Sequence, residues 1–167
     1  MEPRARGSAD PVGLNVTITS RPLPSLSMSD PTTILFACVH NAGRSQMGAG
    51  FASFLGGAHV RVLSGGSEPG TAVNPMVVEA MRERGIDVAR EQPKAFDDAM
   101  VESADIVVTM GCGDECPFFP GTRYLDWPLE DPAGQPIEVV RRVRDAIEGL
   151  VRGLLTELDG PVGGVNA

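Results

Sequence analysis

From residue 33 onward the chain alternates short apolar runs with stretches whose apolar residues recur at helical spacing. Residues 33–38 (TILFAC) are almost continuously apolar, as expected of a strand covered on both faces. Residues 45–55 carry Met47, Phe51 and Leu55 four apart, which predicts a helix stopped by Gly56 and Gly57. Residues 60–64 form a second strand candidate. Residues 75–84 read as a helix with Asn74 as N-cap, Pro75 at its first position and Gly85 at its end. A short helix over 97–103, a buried strand over 105–110 (DIVVTM), a very short strand over 123–125 and a long amphipathic helix over 136–158 complete the series. Such alternation implies a parallel sheet with helices on both faces. Ligands of these sheets bind beyond the carboxyl ends of the strands. Cys38 follows the first strand, and Cys112 and Cys116 follow the third, so all three thiols are expected on one rim.

Composition narrows the field. The 167 residues are long enough for a single core without disulfide staples. Residues 31–160 are read as one catalytic domain, 1–30 as a flexible N-terminal tail and 161–167 as a C-terminal tail. Within the first tail only LNVTIT suggests a strand. The formal net charge of -8 provides no basic stripe for a phosphate backbone, so no nucleic-acid partner is expected. No apolar run approaches the roughly 18 residues of a membrane span, so no membrane partner is expected either. Three cysteines and no apolar leader favour thiol chemistry in a reducing cytoplasm over a structural disulfide framework.

The candidate chemistry begins at Cys38-Val39-His40-Asn41-Ala42-Gly43-Arg44-Ser45, a C-x5-R-S loop between strand and helix. Backbone N–H groups of a tight loop converge on its centre, and the helix N-terminus adds partial positive charge. Gly43 lets the backbone curl, and Arg44 offers a bidentate fork to two oxygens. The same field favours the Cys38 thiolate, a nucleophile aimed at phosphorus or arsenic. Ser45 is placed to cap the helix or donate to the thiolate, and Asn41 to brace the loop. An inert cysteine followed by a surface arginine is the plain alternative, but the glycine, arginine and serine at a strand-to-helix junction favour the anion site.

The segment Leu125-Asp126-Trp127-Pro128-Leu129-Glu130-Asp131-Pro132 supplies acids that could protonate a leaving oxygen. Asp126 and Glu130 read as solvated or structural. An Asp-Pro pair is by itself a turn signal.

The loop residues resemble the low-molecular-weight tyrosine phosphatase superfamily, which includes the thioredoxin-coupled arsenate reductases; the resemblance spans about residues 33–155. It implies an α/β, flavodoxin-like three-layer fold with a four-stranded parallel sheet. It makes Cys38 the nucleophile, Arg44 the oxyanion clamp and Asp131, directly before Pro132, the general acid. Some reductases of this group bind potassium beside the loop. Ala49 stands where an acid would be expected for that ion, so no metal and no cofactor is expected.

Cys112 and Cys116 lie in GCGDECPFFPG, too polar and glycine-rich for a packed core. A zinc site would need four ligands at other spacings, and His40 and His59 fall in no ligand motif. Residues four apart on a helical turn are about 6 Å apart along its axis, within disulfide range if the turn unwinds, as Gly111 and Gly113 would permit. A phosphatase needs one cysteine, whereas arsenate reduction moves two electrons and needs thiol–disulfide exchange. The resembled reductases carry their second and third cysteines here. The resemblance therefore implies an arsenate reductase working by a three-cysteine relay, with thioredoxin or a similar dithiol donor as partner. The alternative is a phosphotyrosine phosphatase. It would require an aromatic cleft, for which Trp127, Phe118 and Phe119 are the only wall candidates, and Ala133 follows the Asp-Pro where those phosphatases carry Tyr. A non-catalytic trap for trivalent arsenic on three thiols would leave the nucleophile cradle without a task. Ser64-Gly65-Gly66 reads as a turn near the loop, and Lys94 as a surface charge.

Overall fold

The computed structural model describes residues 30–112 and 118–164, apart from the side chains of 160–164. The expected N-terminal tail, its LNVTIT strand and Cys116 fall outside these residues. The elements in chain order are β1 (Thr32–Cys38), α1 (Arg44–Gly56), a 3-10 turn (Gly57–His59), β2 (Val60–Gly66), α2 (Pro75–Arg82), α3 (Asp98–Ser103), β3 (Ile106–Thr109), β4 (Arg123–Asp126) and α4 (Ile137–Gly164). The four strands pair in parallel in the order β2-β1-β3-β4. From β1 the chain crosses to one side for β2 and to the other for β3. This reversal opens a crevice at the carboxyl ends of β1 and β3, the usual ligand position in such sheets.

Alternation along β1 sorts its side chains onto two faces. Ile34, Phe36 and Cys38 join a core with Met47 and Phe51 of α1, Val77 and Met81 of α2, and Val140, Ile147 and Val151 of α4. Leu35 points the other way, onto Val101, Ala104 and Val107, with Phe96, Phe119 and Tyr124 closing over them. Each fully buried aliphatic or aromatic side chain contributes about 2 kcal/mol of transfer free energy. Three helices thus cover one face and α3 the other, the three-layer arrangement expected. Asn74 caps α2 by accepting from Met76 N–H at 2.9 Å, and Asp97 caps α3 by accepting from Met100 N–H at 2.7 Å.

Two boundaries depart from the sequence reading. Ser64, Gly65 and Gly66 are the buried end of β2, not a turn. Helix α4 runs to Gly164, so residues 161–164, expected in a tail, are helical.

Helix α4 is tied to the end of α2 by charge. Arg144, with a side chain only 5% exposed, donates to Glu83 Oε1 at 2.6 Å and to the Ala80 carbonyl at 2.9 Å. Arg141 adds a bidentate contact to Glu83, the shorter arm 2.7 Å. Hydrogen bonds from Arg141 and then Arg144 pull the Glu83 carboxyl down from the usual 4.5 to about 2. Because the folded value is depressed, the contribution to stability is complete above the unfolded value near 4.5 and is lost as pH falls towards about 2. Glu83→Gln is expected to flatten the decline of the thermal midpoint across that window. An unaltered decline in the variant would mean that the clamp adds nothing.

Candidate active site

The loop between β1 and α1 is held from outside by its carbonyl groups. Cys38 O accepts from Ser67 N–H (3.2 Å), Val39 O from Glu68 N–H (2.7 Å), His40 O from Gly70 N–H (2.9 Å) and Ala42 O from Asn74 N–H (2.9 Å). Asn41 O accepts from Gln46 Nε2 at 3.0 Å, and Gly43 O from Met47 N–H at 2.9 Å. In a trans peptide the C=O and N–H point opposite ways, so six outward carbonyls turn the intervening N–H groups inward. The start of α1 adds to them. Its N-cap, Gly43, makes no side-chain capping bond, and the first-turn N–H groups have no intrahelical acceptor. Dipole and donors thus converge on one point, a site built for an anion.

Asn41 is the brace of this loop. It is completely buried and adopts φ 50°, a left-handed conformation that asparagine tolerates better than most residues. Its Oδ1 accepts from Lys94 N–H at 3.0 Å, which fixes the amide orientation because a backbone N–H can only donate. Nδ2 therefore faces Ser45 and donates to its Oγ at 2.7 Å. The same Ser45 oxygen lies 2.9 Å from Cys38 Sγ, within hydrogen-bond distance of the sulfur. Asn41 N–H points at the same sulfur from 3.3 Å. Ser45 Oγ and Asn41 N–H thus both meet the Cys38 sulfur. Cys38 is a free thiol.

The mouth of the loop is a small cavity of about 50 Å³ lined by Cys38, His40, Gly43, Arg44, Asp131 and Pro132, among others. Arg44 enters from the first turn of α1 and donates through Nη1 to the Leu129 carbonyl at 3.2 Å. Its Nη2 lies 3.6 Å from Asp131 Oδ2. Asp131 is half exposed, and its Oδ1 accepts from Ala133 N–H at 3.0 Å. The turn expected of an Asp-Pro pair and a carboxyl facing the cavity therefore coexist. On the opposite side of Arg44 runs the segment after β3. Gly111 has φ 99°, and a Cβ there would strike Nη1 and lie 3.1 Å from Cζ of Arg44. The next residue, Cys112, is buried and disulfide-bonded. Its Sγ lies 3.9 Å from the carbonyl oxygen of Ala37, the residue before Cys38.

The low molecular weight phosphotyrosine protein phosphatase model matches residues 33–162, nearly the whole described chain. The chain belongs to that family. Within it, the chain is 37% identical over 131 residues to arsenate reductase 2 of Staphylococcus epidermidis, covering 76% of this chain and 98% of that protein. It is 34% identical over 128 residues to the glutaredoxin arsenate reductase of Synechocystis, covering 75% and 97%. A thioredoxin-dependent arsenate reductase of Corynebacterium glutamicum superimposes with a TM-score of 0.70 at 40% identity, covering 78% of this chain and 63% of that one, less than two thirds of its length.

Trp127 departs from the sequence reading. Trp127 is not a cleft wall. It is 7% exposed and packs against Phe36, with ring centroids 6.1 Å apart. Asp126 accepts from Thr109 Oγ1 at 2.8 Å, and Glu130 lies 3.5 Å from Arg142, so both are structural acids as expected. His40 sits at the mouth with Nδ1 3.0 Å from the Glu68 carbonyl, while His59 is exposed on the 3-10 turn. Lys94 holds the loop through its backbone, while the residue is exposed. Among the described residues, no cluster of potential metal ligands is found, and no helix is long and apolar enough to cross a membrane.

Residues 67–70 carried no recognisable signal, because they brace the loop through backbone bonds that any sequence can form; Gln46 braces it through its side-chain amide. Gly66 carried a readable one: a Cβ there would stand 2.5 Å from Val39 O and 2.9 Å from Asn41 N, so only glycine lets β2 end against the loop.

Proposed function

We propose that this chain is an arsenate reductase that works by a three-cysteine thiol–disulfide relay, regenerated in the cytoplasm by thioredoxin or a similar dithiol donor. One observation carries the reading. A free Cys38 lies at the floor of an anion cradle, and a disulfide-bonded Cys112 reaches to within 3.9 Å of the carbonyl just before it. Hydrolysis of a phosphate ester needs no second thiol there; transfer of two electrons to an oxyanion does. The names of the relatives point the same way. Among the described residues lining the cavity, His40 is the only aromatic one, and Trp127 lies in the core, which does not favour a phenol ring.

In the proposed cycle the loop N–H groups and Arg44 hold arsenate. Cys38 Sγ attacks arsenic, forming an S–As bond as one oxygen leaves with a proton from Asp131. Cys112 thiolate then attacks Cys38 Sγ. The S–As electron pair passes to arsenic, arsenite departs, and a disulfide joins Cys38 to Cys112. Cys116 next attacks Cys112, returning Cys38 to its thiolate. A bonded Cys112 beside a free Cys38 matches the end of that sequence. The donor's two thiols close the cycle by becoming a disulfide.

The test is arsenate-dependent NADPH oxidation with thioredoxin and its reductase, set against hydrolysis of p-nitrophenyl phosphate. Brisk hydrolysis with no arsenate-dependent oxidation would reverse the reading. In the same assay, Asp131→Asn is expected to slow first-turnover arsenite formation about a hundredfold, with little change in arsenate affinity. A rate equal to that of the parent protein would remove Asp131 from the chemical step.

A further inference from the structure

The regenerating step poses a problem of access that the cradle itself does not solve. A protein dithiol must bring a sulfur to bonding distance of the disulfide that includes Cys112, and Cys112 is only 4% exposed. The donor must therefore lie against chain surface flanking the segment from 112 to 116. On its far side, two residues beyond Cys116, that surface begins with Phe118.

Phe118 is 72% exposed, more than any other large apolar side chain among the described residues. It is also held in place. Its ring stacks on Tyr124 at a centroid distance of 4.9 Å and an interplanar angle of 25°. Tyr124 belongs to β4, the edge strand of the sheet, and packs on the core beside Leu35 and Val107. Its Oη accepts from Phe119 N–H at 2.7 Å, and Phe119 packs on the same core. A turn closed by Thr122 N–H on the Phe119 carbonyl at 3.4 Å, with Gly121 at φ 91°, returns the chain from Phe119 to β4. The outcome is a rigid aromatic step standing in water. Phe54, the next most exposed, projects from α1 without a ring partner. A lone surface apolar residue calls for no explanation. A stacked, clamped ring two residues from a redox cysteine does, because pre-ordered aromatics are what protein interfaces bury at their centres.

We infer that Phe118, backed by Tyr124, is the docking step for the dithiol donor, a small thioredoxin-type oxidoreductase, and that it positions the donor's nucleophilic thiol over the disulfide. The inference rests on the reductase reading above. It assigns Phe118 to recognition of the donor and to none of the arsenate chemistry. During docking the donor's two thiols become a disulfide, and the bond at Cys112 opens to two thiols, so electrons balance without a further reagent.

Phe118→Ala and Phe118→Asp test this, each measured with thioredoxin and, separately, with dithiothreitol as reductant. The expected result is a KM for thioredoxin raised about tenfold in the alanine variant and further in the aspartate variant, with kcat little changed. Phe118→Trp should restore the parent value. The dithiothreitol-supported rate and the first-turnover arsenite yield should match the parent protein in all three. An unchanged KM for thioredoxin in both the alanine and aspartate variants overturns the proposal. So does an equal loss with dithiothreitol, which would place Phe118 in the relay or the fold instead. A parent protein that forms no arsenite with either donor overturns the reductase reading and this inference with it.

Discussion

Cys38→Ser protein is expected to form no arsenite and to hydrolyse no p-nitrophenyl phosphate, a loss on the order of 10^5-fold, as for removal of an enzymic nucleophile. The replacement is nearly isosteric. The new hydroxyl keeps a hydrogen bond to Ser45 Oγ, which lies 2.9 Å from the present sulfur, so the loop should stay folded. The cradle should also still bind an anion, because its inward N–H groups and Arg44 are untouched. Inorganic phosphate is therefore expected to raise the thermal midpoint of the variant and of the parent alike, by mass action on the native state. Chemistry lost with binding retained is the signature sought in a single-turnover arsenite assay beside a thermal scan. Measurable arsenate reduction by Cys38→Ser would mean that another thiol makes the first attack.

Cys116→Ser should behave quite differently. One equivalent of arsenite is expected per enzyme, formed at close to the parent rate, followed by arrest. The arrested protein should carry a disulfide between Cys38 and Cys112, recoverable by peptide mapping under non-reducing conditions. The proximity argument is direct: Cys112 Sγ sits 3.9 Å from the Ala37 carbonyl, at the ends of the neighbouring strands β1 and β3. Because Cys38 and Cys112 are both buried, a protein donor would reach the trapped bond poorly, and turnover should fall by orders of magnitude. Sustained multiple turnovers with thioredoxin in this variant would sink the relay.

The two variants separate what each part of the site contributes. The loop around Cys38 sets the attack, and it would serve phosphate as well as arsenate. The buried Cys112 beside it suits an ending by electron transfer. Gly111 joins the two halves. At φ 99° it also makes room for the Arg44 guanidinium, which a Cβ there would strike. The segment carrying Cys112 and the oxyanion clamp are therefore packed against one another. A Cβ at position 111 would disturb both.

Much of this was legible from the chain alone. The short apolar runs and the helical spacings located all four strands and the helices between them, because burial of apolar surface dictates those patterns. The C-x5-R-S motif located the cradle, because glycine, arginine and a helix start are local requirements of anion binding. What the pattern lacked was contact across the fold. Ser64, Gly65 and Gly66 looked like a turn because glycines usually mark turns. They end β2, and its last residue is glycine because Val39 O and Asn41 N leave no space there for a side chain. Trp127 looked available for a cleft wall but lies against Phe36. Asn41 and Ser45 were legible as bracing residues, but the outward carbonyls left no trace in residue types, since their partners are mostly backbone N–H groups from residues 67–74. By itself the sequence determined the layered sheet and where the proposed nucleophile and its proposed clamp stand, all properties of local pattern. Only the tertiary structure decided which way the loop amides face, how Cys112 stands to Cys38 and where an aromatic ring remains in water. Those depend on atoms far apart in the chain, brought together when the strands pair.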